Sequence, residues 1–349
     1  MNPHAWPRVG IVILNWNGLQ DTLECLESLS GMTYANREVL VVDNGSTDGS
    51  PGEIRNRYPD VSLIRNRNNM GFAAGNNIGI RAAIERGAEF VWLLNNDTIV
   101  DPDTLTHIVS TAMQSSEIGL VSPVIRFHDD PDTVQFCGSY IDMDRCRIVK
   151  VGWGDANSCE GKPVALWGTA LLIKKTLVER IGYLDEKYFA YHEDEEYSIR
   201  SSRTGSRALV DLGANIFHKN SRSTGSNDAP MQVFLRSRNL FFLWMDNLKG
   251  MKRVFHIPRY LAHIISYGGA LREKNLPDSV EACLDGVWHA FHGSGGPRNP
   301  EITMPIPLRR MFRFLFSWHP FFWASLLRGD FSGIVTNVRE RTRVMKAGN

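Results

Sequence analysis

Three uninterrupted apolar runs, Val9–Leu14, Val39–Val42 and Phe90–Leu94, are separated by stretches of helical spacing, and each runs into a polar tip. That alternation leaves few folds open. Apolar runs without a polar alternation suit strands buried on both faces. Strands that alternate with helices pair in parallel through right-handed crossovers. Gln20–Leu29, with Leu23, Leu26 and Leu29 near helical spacing, and Asn76–Arg86 supply the helices, and Ser62–Ile64 reads as a further short strand. The expected class is α/β: a Rossmann-like, mostly parallel sheet flanked by helices. Ligands of such sheets sit beyond the carboxyl ends of the strands.

The tips read Asn15-Trp16-Asn17-Gly18, Asp43-Asn44-Gly45-Ser46 and Asn95-Asn96-Asp97. Turn chemistry explains Asn, Asp and Gly singly. Three such ends on one edge predict a polar ligand crevice. A carboxylate at Asp43 can accept from a nucleobase N–H or a ribose hydroxyl; an Asx-turn or a cap for the helix after Ser46 is the alternative, although Ser46 and Asp48 can cap as well. Asn95 and Asp97 project to one side if the strand continues. One carboxylate and one amide oxygen are few ligands, but hard cations such as Mg2+ fill their shell with water and phosphate oxygens. No G-x-G-x-x-G follows the first strand and no GxxxxGK[ST] occurs, which excludes the dinucleotide and P-loop fingerprints.

From Ser122 to Leu172 the pattern breaks into short β-like pieces. Lys175–Ile181 and Asp194–Arg203 read as helices, and Ala208–Val210 as a strand leading to His218. With Lys219, Ser221, Arg222 and Ser223 behind it, His218 reads as a further ligand or phosphate contact on an anion-facing loop. Beyond Met231 the spacing predicts helices over Val233–Leu248, Val254–Ile265, Ser279–His292 and Leu308–Leu327, with Gly293–Pro300 as a loop. The expected domains are 1–230 and a carboxy-terminal helical region, 231–349. The second holds 17 Lys and Arg against 8 Asp and Glu, although the whole chain is only +1. Arg309, Arg310 and Arg313 stand among Phe312, Phe314, Phe316 and Trp318, a composition suited to a membrane interface, to a buried packing helix or to a homodimer contact. The basic residues lie among apolar helix faces, which argues against nucleic acid. No run of eighteen apolar residues exists: Met311–Leu327 is broken by Arg313, His319 and Pro320. Five cysteines, no CxxC and no secretory leader predict a reducing, cytoplasmic setting, peripheral on the inner membrane face if the basic helices meet lipid.

The remaining concentration of chemistry is Gly182–Gly205. Tyr188, Phe189 and Tyr191 meet four consecutive acids, Glu193, Asp194, Glu195 and Glu196. Crowded carboxylates repel, which raises a pKa, and an aromatic floor beside a basic carboxylate suits deprotonation of a sugar hydroxyl. Part of the cluster has a plain structural use: Glu196 and Arg200 form an i,i+4 pair, and acids at a helix start favour its dipole.

Seven segments in order, VILNWNG (12–18), VLVVDNGSTDGS (39–50), NMGFAAGNNIGI (69–80), WLLNNDTIVDPDTL (92–105), WGTALLIKK (167–175), the stretch 181–205 and IFHKNSRST (216–224), resemble family 2 glycosyltransferases of the GT-A fold, particularly the rhamnosyltransferase-like branch. RSRN (236–239) fits the same pattern. The resemblance implies an inverting, metal-dependent hexosyltransferase of cell-surface polysaccharide synthesis, using a nucleotide-diphosphate sugar (dTDP-rhamnose first, a UDP-sugar second), Mg2+ or Mn2+, and a saccharide or polyprenyl-linked acceptor. It implies Asn15, Trp16, Asp43, Asn69, Gly71 and Asn95 at the donor. Asp97 would bind the metal with His218, and Asp194 would be the general base. Trp167, Gly168, Thr169, Tyr191 and Glu193 would shape the acceptor side. Asn95-Asn96-Asp97 stands where the family has DXD, and Glu195-Glu196 follows the acidic pair where an apolar residue and Asp are usual. A sugar nucleotidyltransferase and a catalytically inactive nucleotide-sugar-binding module are the competing readings. The first lacks its Gly-rich basic loop after strand one, and the second has no use for Asp97, Asp194 and His218 together.

Overall fold

The computed structural model describes residues 6–152, 162–219 and 228–317. Chain contacts divide it into two compact units, Met1–Thr224 and Gly225–Asn349.

The amino-terminal unit begins with the expected alternation. Strand β1 (Val9–Asn15), helix α1 (Leu19–Ser30), β2 (Arg37–Asp43), α2 (Ser50–Arg57), β3 (Ser62–Arg65), α3 (Gly71–Glu85) and β4 (Phe90–Asn95) follow in turn. Neighbouring strands β3-β2-β1-β4 are all parallel. Residues alternate between the two faces of β1. Ile11 and Ile13 enter one apolar core, with Trp92 and α1's Leu26, while Val12 enters a second, with Leu40, Leu93 and α3's Ile80. Both faces are covered, which is why these strands carry no polar alternation.

The second half of the sheet departs from simple alternation. After β5 (Thr98–Val100), α4 (Thr104–Met113) and β6 (Ile118–Phe127) come β7 (Val134–Phe136), β8 (Ser139–Asp142), β9 (Arg147–Lys150), β10 (Val164–Ala165) and β11 (Ala170–Lys174). Strand β11 inserts antiparallel between β4 and β6. Helices α5 (Lys175–Ile181) and α6 (Glu193–Ser202) precede β12 (Arg207–His218), which lies parallel to β6 and antiparallel to β5. The main sheet thus runs β3-β2-β1-β4-β11-β6-β12-β5, and β10-β8-β9 form a small second sheet. Because β11 is reversed, its first residues emerge at the edge where β1, β2 and β4 end.

The carboxy-terminal unit is helical among its described residues: α7 (Pro230–Asn247), α8 (Met251–Glu273), α9 (Pro277–Phe291) and α10 (Ile306–Leu315). Helix α8 extends beyond the expected Val254–Ile265 at both ends and carries Pro258 within it. Arg238 of the RSRN segment is fully buried. It packs between the rings of Phe234 and Phe242 and donates to the Gly296 carbonyl at 2.5 Å. Burial lowers its pKa to about 10. Trp318 and the rest of 318–349 fall outside the described residues. No described helix is long and apolar enough to cross a membrane.

Candidate functional site

The strand register aligns the polar tips. Asn15 pairs with Asp43, and Leu14 with Asn95. The first tip is a knot. Asn15 Nδ2 donates to Asp43 Oδ1 at 3.0 Å and to Ser46 Oγ at 3.1 Å, while its Oδ1 accepts from Thr22 Oγ1 at 2.9 Å, Gly18 N at 3.2 Å and Asn96 Nδ2 at 3.4 Å. Asp43 Oδ2 accepts from Ser46 N at 3.2 Å. Both side chains are wholly buried. They hold the turn together. Asp48 caps α2 through Ser50 N at 3.0 Å. Trp16, 42% exposed, and Asn17 are the parts of this tip that meet solvent.

Next along the edge, Asn44 was not singled out by the sequence, yet it organises the predicted Asn69–Gly71 segment. Its Nδ2 donates to Asn69 Oδ1 at 2.9 Å and to the Gly71 carbonyl at 3.1 Å, and its Oδ1 accepts from Asn66 Nδ2 and Met70 N. Gly71 has φ +84°, and a β-carbon there would stand 2.6 Å from both the Phe189 ring and its carbonyl. That carbonyl accepts from Phe72 N at 2.6 Å and Ala73 N at 3.2 Å, so it caps the start of α3. Helix α3 therefore begins five residues before the expected Asn76. Helix α3 and the loop ahead of the acidic cluster share one joint.

That loop is strained. Phe189, Tyr191 and His192 have φ of 65°, 70° and 72°, a region costly for side chains of this size. The aromatic floor is only partly realised, because Tyr188 is fully buried in the interior. The four acids also divide. Glu196 takes Arg200 Nε between its oxygens at 2.8 Å each, and Arg200 continues to the carbonyls of Ile181 and Tyr183. This half of the cluster is a clamp on the preceding turn. Asp194, at the start of α6, accepts from Gly168 N at 2.8 Å and from Glu195 N at 2.9 Å. Its pKa is raised well above the carboxylate range, first by burial, then by the charge and hydrogen bond of Glu195; the Gly168 N–H opposes this. Glu193 is raised too, by burial and then by Asp194. Its buried Oε2 has no hydrogen-bond partner among the described residues. Mutual repulsion was the expected cause of such shifts; burial is the larger one.

Trp167, Gly168 and Thr169, expected on the acceptor side, lead into the start of β11. The Thr169 carbonyl accepts from Asn95 N at 2.9 Å, which fastens this segment to the third tip. A β-carbon at Gly168 would lie 3.0 Å from the Phe72 ring and 3.7 Å from Asp194 Oδ2. Trp167 is stacked on Phe136 at 4.1 Å, with Lys150 Nζ 4.5 Å from its ring centre. These two contacts occupy Trp167 as part of a wall.

Asp97 lies in the turn between β4 and β5. Pairing of β5 with β12 sets His218 opposite Thr98, and His218 Nε2 comes within 3.2 Å of Asp97 Oδ1. Both side chains are nearly buried. Gln135 Oε1, 2.9 Å from His218 Nδ1, fixes the ring from behind, the usual arrangement behind a metal-bound imidazole. A carboxylate oxygen and an imidazole nitrogen suit Mn2+ or Mg2+. Their separation matches the edge of about 3 Å between two neighbouring ligands each at ~2.1 Å from a six-coordinate ion. Among the described residues no group of three or more His, Cys, Asp or Glu is placed to hold an ion, so the remaining positions would fall to water and phosphate oxygens. Lys219 does not serve an anion here. Its Nζ is bonded to Asp21 at 3.0 Å and to Glu24. Burial pulls its pKa down, but those two carboxylates outweigh it and leave it raised. Ser221, Arg222 and Ser223 lie outside the described residues.

Residues 10–141 match the family Glycosyl transferase family 2. The chain is 29% identical over 233 residues to an N-acetylglucosaminyl-diphospho-decaprenol L-rhamnosyltransferase of Mycobacterium tuberculosis, covering 58% of this chain and 73% of that protein. It is 24% identical over 290 residues to a low-salt glycan biosynthesis hexosyltransferase of Haloferax volcanii, covering 82% and 90%. Among solved structures, a mannosyltransferase from Pyrobaculum calidifontis in complex with GDP-Man and Mn2+ superposes with a TM-score of 0.53 at 19% identity, over 97% of this chain and 88% of that one. The fold is the GT-A arrangement of a curled, mostly parallel sheet flanked by helices.

Proposed function

Residues 10–141 belong to glycosyl transferase family 2, and on that premise we propose that the protein is an inverting glycosyltransferase. It moves a sugar, rhamnose first among candidates, from a nucleotide-diphosphate donor to a hydroxyl of a saccharide or lipid-linked saccharide in cell-surface polysaccharide synthesis. The observation that carries this reading is the continuity of the site. Asn15 bonds Asn96 beside Asp97, Asn95 bonds Thr169, Gly168 bonds Asp194, and Phe189 joins the Asp194 loop to the Asn69–Gly71 segment. Metal-pair, donor-side and base residues thus follow one another along a single sheet edge.

In the proposed reaction the acceptor oxygen attacks the anomeric carbon as the bond from that carbon to the diphosphate oxygen breaks. Asp194 takes the acceptor proton, and the nucleoside diphosphate departs with the bonding pair. A base whose pKa lies nearer neutrality is the better proton acceptor, and the burial that raises Asp194 serves this. The Gly168 N–H fixes the carboxylate's direction. Asp97 and His218 would hold the Mg2+ or Mn2+, which supplies charge compensation for the leaving diphosphate. Trp16 offers the exposed ring for a nucleoside at the rim, while Asn15 and Asp43 shape the floor beneath it. Asn69 and Gly71 line the donor side, and Thr169, Tyr191 and Glu193 the acceptor side. The carboxy-terminal unit meets the inner membrane face, where a polyprenyl-linked acceptor would lie.

A screen of nucleotide sugars with Mg2+ and Mn2+ tests the reading by two signals: a rise in melting temperature on binding and release of nucleoside diphosphate. Stabilisation by at least one nucleotide sugar with metal-dependent diphosphate release is expected. No response to any of them removes the transferase.

A further inference from the structure

Backbone chemistry alone orients the amide of Asn69. Gly71 N lies 2.8 Å from its Oδ1, and a backbone N–H can only donate, so the atom facing it is an oxygen. Asn44 is fixed in the same way. Met70 N donates to its Oδ1 at 3.1 Å, and the Gly71 carbonyl, which can only accept, lies 3.1 Å from its Nδ2. The second proton of Asn44 Nδ2 goes to Asn69 Oδ1 at 2.9 Å. With Asn66 Nδ2 also on its oxygen at 3.0 Å, Asn44 has used both donors and both acceptor positions. At 1% exposure it touches no ligand.

Asn69 differs. Its oxygen is taken by two inward N–H groups, but the residue is only half-buried, and its Nδ2 reaches solvent without a partner among the described residues. Turning the oxygen outward would set Asn69 Nδ2 against Asn44 Nδ2 and Gly71 N, with nothing to accept from any of them. The outer side of this amide is therefore a hydrogen-bond donor. It stands on the sheet edge described above, because Asn44 directly follows β2 and its own N–H donates to the Asn15 carbonyl at 2.7 Å.

We infer that Asn69 Nδ2 holds an acceptor oxygen on the nucleotide half of the activated sugar, a phosphate oxygen or a nucleobase carbonyl, and that Asn44 is the positioning residue that keeps this amide turned outward. The inference rests on the proposed nucleotide-sugar site and deepens it. It gives one contact a polarity and rules out a ligand N–H at that point.

Two substitutions at position 69 separate a ligand contact from a structural role. Asn69→Asp keeps an oxygen for Asn44 Nδ2 and Gly71 N, and puts a second oxygen where the amide nitrogen stood. Asn69→Ala leaves both inward N–H groups unpaired and puts nothing outside. Calorimetric titration with UDP and dTDP in the presence of Mn2+ should show Asn69→Asp weakening binding about tenfold or more, and Asn69→Ala weakening it less. The difference should persist in high salt, which screens repulsion through space. Melting temperatures should rank the other way: Asn69→Ala about 2–4 °C or more below the parent, Asn69→Asp close to it. Asn44→Asp, which cannot donate to Asn69 or to the Gly71 carbonyl, should lose both affinity and stability. Pyrophosphate and the free nucleosides distinguish the two oxygens, since the loss in Asn69→Asp should follow whichever compound carries the contact.

Asn69→Asp binding as tightly as the parent or as Asn69→Ala, melting as low as Asn69→Ala, or losing affinity for neither pyrophosphate nor nucleoside overturns the inference, and so does a parent that binds neither nucleotide. The expected order of variants without nucleoside diphosphate release from any nucleotide sugar keeps this contact and removes the transferase.

Discussion

His218 Nε2 lies 3.2 Å from Asp97 Oδ1, and the antiparallel ladder between β5 and β12 puts it there. The two residues are remote in sequence. The ladder makes their separation a property of the sheet, so substitutions at either should alter ligation without moving the other.

Asp97→Ala and His218→Ala should each weaken donor binding and flatten its dependence on Mn2+ or Mg2+. The measurement is calorimetric titration of the nucleotide sugar at several metal concentrations. Second-sphere and ligand changes of this kind typically cost about 10–100-fold in metal affinity. An unaltered metal dependence in both variants would remove the pair from the metal site.

Asp194→Asn should lower transfer by about 10²–10⁴, the usual worth of a general base, while donor affinity stays close to the parent value. The amide keeps an oxygen for the Gly168 N–H and gives up the acceptor for Glu195 N, so the link to Gly168 stays while basicity is lost. Wild-type turnover in this variant would assign the proton to another residue.

The same substitution should stabilise the protein near neutral pH. The Asp194 and Glu193 carboxyls titrate above their ordinary values because burial disfavours their charge. Between the unfolded and folded pKa the native state holds more protons, so stability falls as pH rises through that window. The favourable contribution is full below the unfolded carboxylate range and gone above the raised folded pKa. Melting curves should show Asp194→Asn gaining on the parent as pH rises above the ordinary carboxylate pKa of about 4. A pH-independent difference would mean that the carboxyl is not titrating in that window. Transfer by the parent should show the converse dependence on its acid limb, rising with pH as the base ionises.

Gly71→Ala should cost stability, about 1–3 kcal/mol for a strained backbone of this kind, because φ is +84° and the new methyl would meet Phe189. Relief by displacing Phe189 would disturb the loop that leads to Asp194. The expected signature is therefore joint: a lower melting temperature, weaker donor binding and slower transfer. Loss of stability with normal kinetics would confine Gly71 to a packing role.

The donor half of the fold was legible because its physics is local. Continuous apolar strands announce a sheet covered twice, and Asn15, Asp43 and Asn95 mark its edge by standing where those runs stop. The expectations that needed tertiary knowledge fared differently. Asn15 and Asp43 stand at strand tips in sequence, but that they bond each other at 3.0 Å could not be read there. Lys219 reads as an anion contact until α1 brings Asp21 and Glu24 to it. Helix α3 starts at Gly71 because the carbonyl that caps it comes from Phe189, far along the chain. The strained backbone at Phe189 and Tyr191 left no mark in residue type, since bulky side chains are unfavoured at positive φ. Asn44, Asn66 and Asn69 did leave one: three amides just past two strand ends, the commonest side chains for fixing a loop.

Strand β11 runs against its neighbours, and that reversal separates two evolutionary freedoms. Beyond β7, which still pairs with β6, the described residues rejoin the main sheet at the head of β11, beside the third tip. Such an excursion can be lengthened, shortened or exchanged without disturbing the β3-β2-β1-β4 half. Under the proposed function, a lineage could in this way recruit new recipients for one activated sugar while the machinery that recognises the sugar's carrier stays as it was.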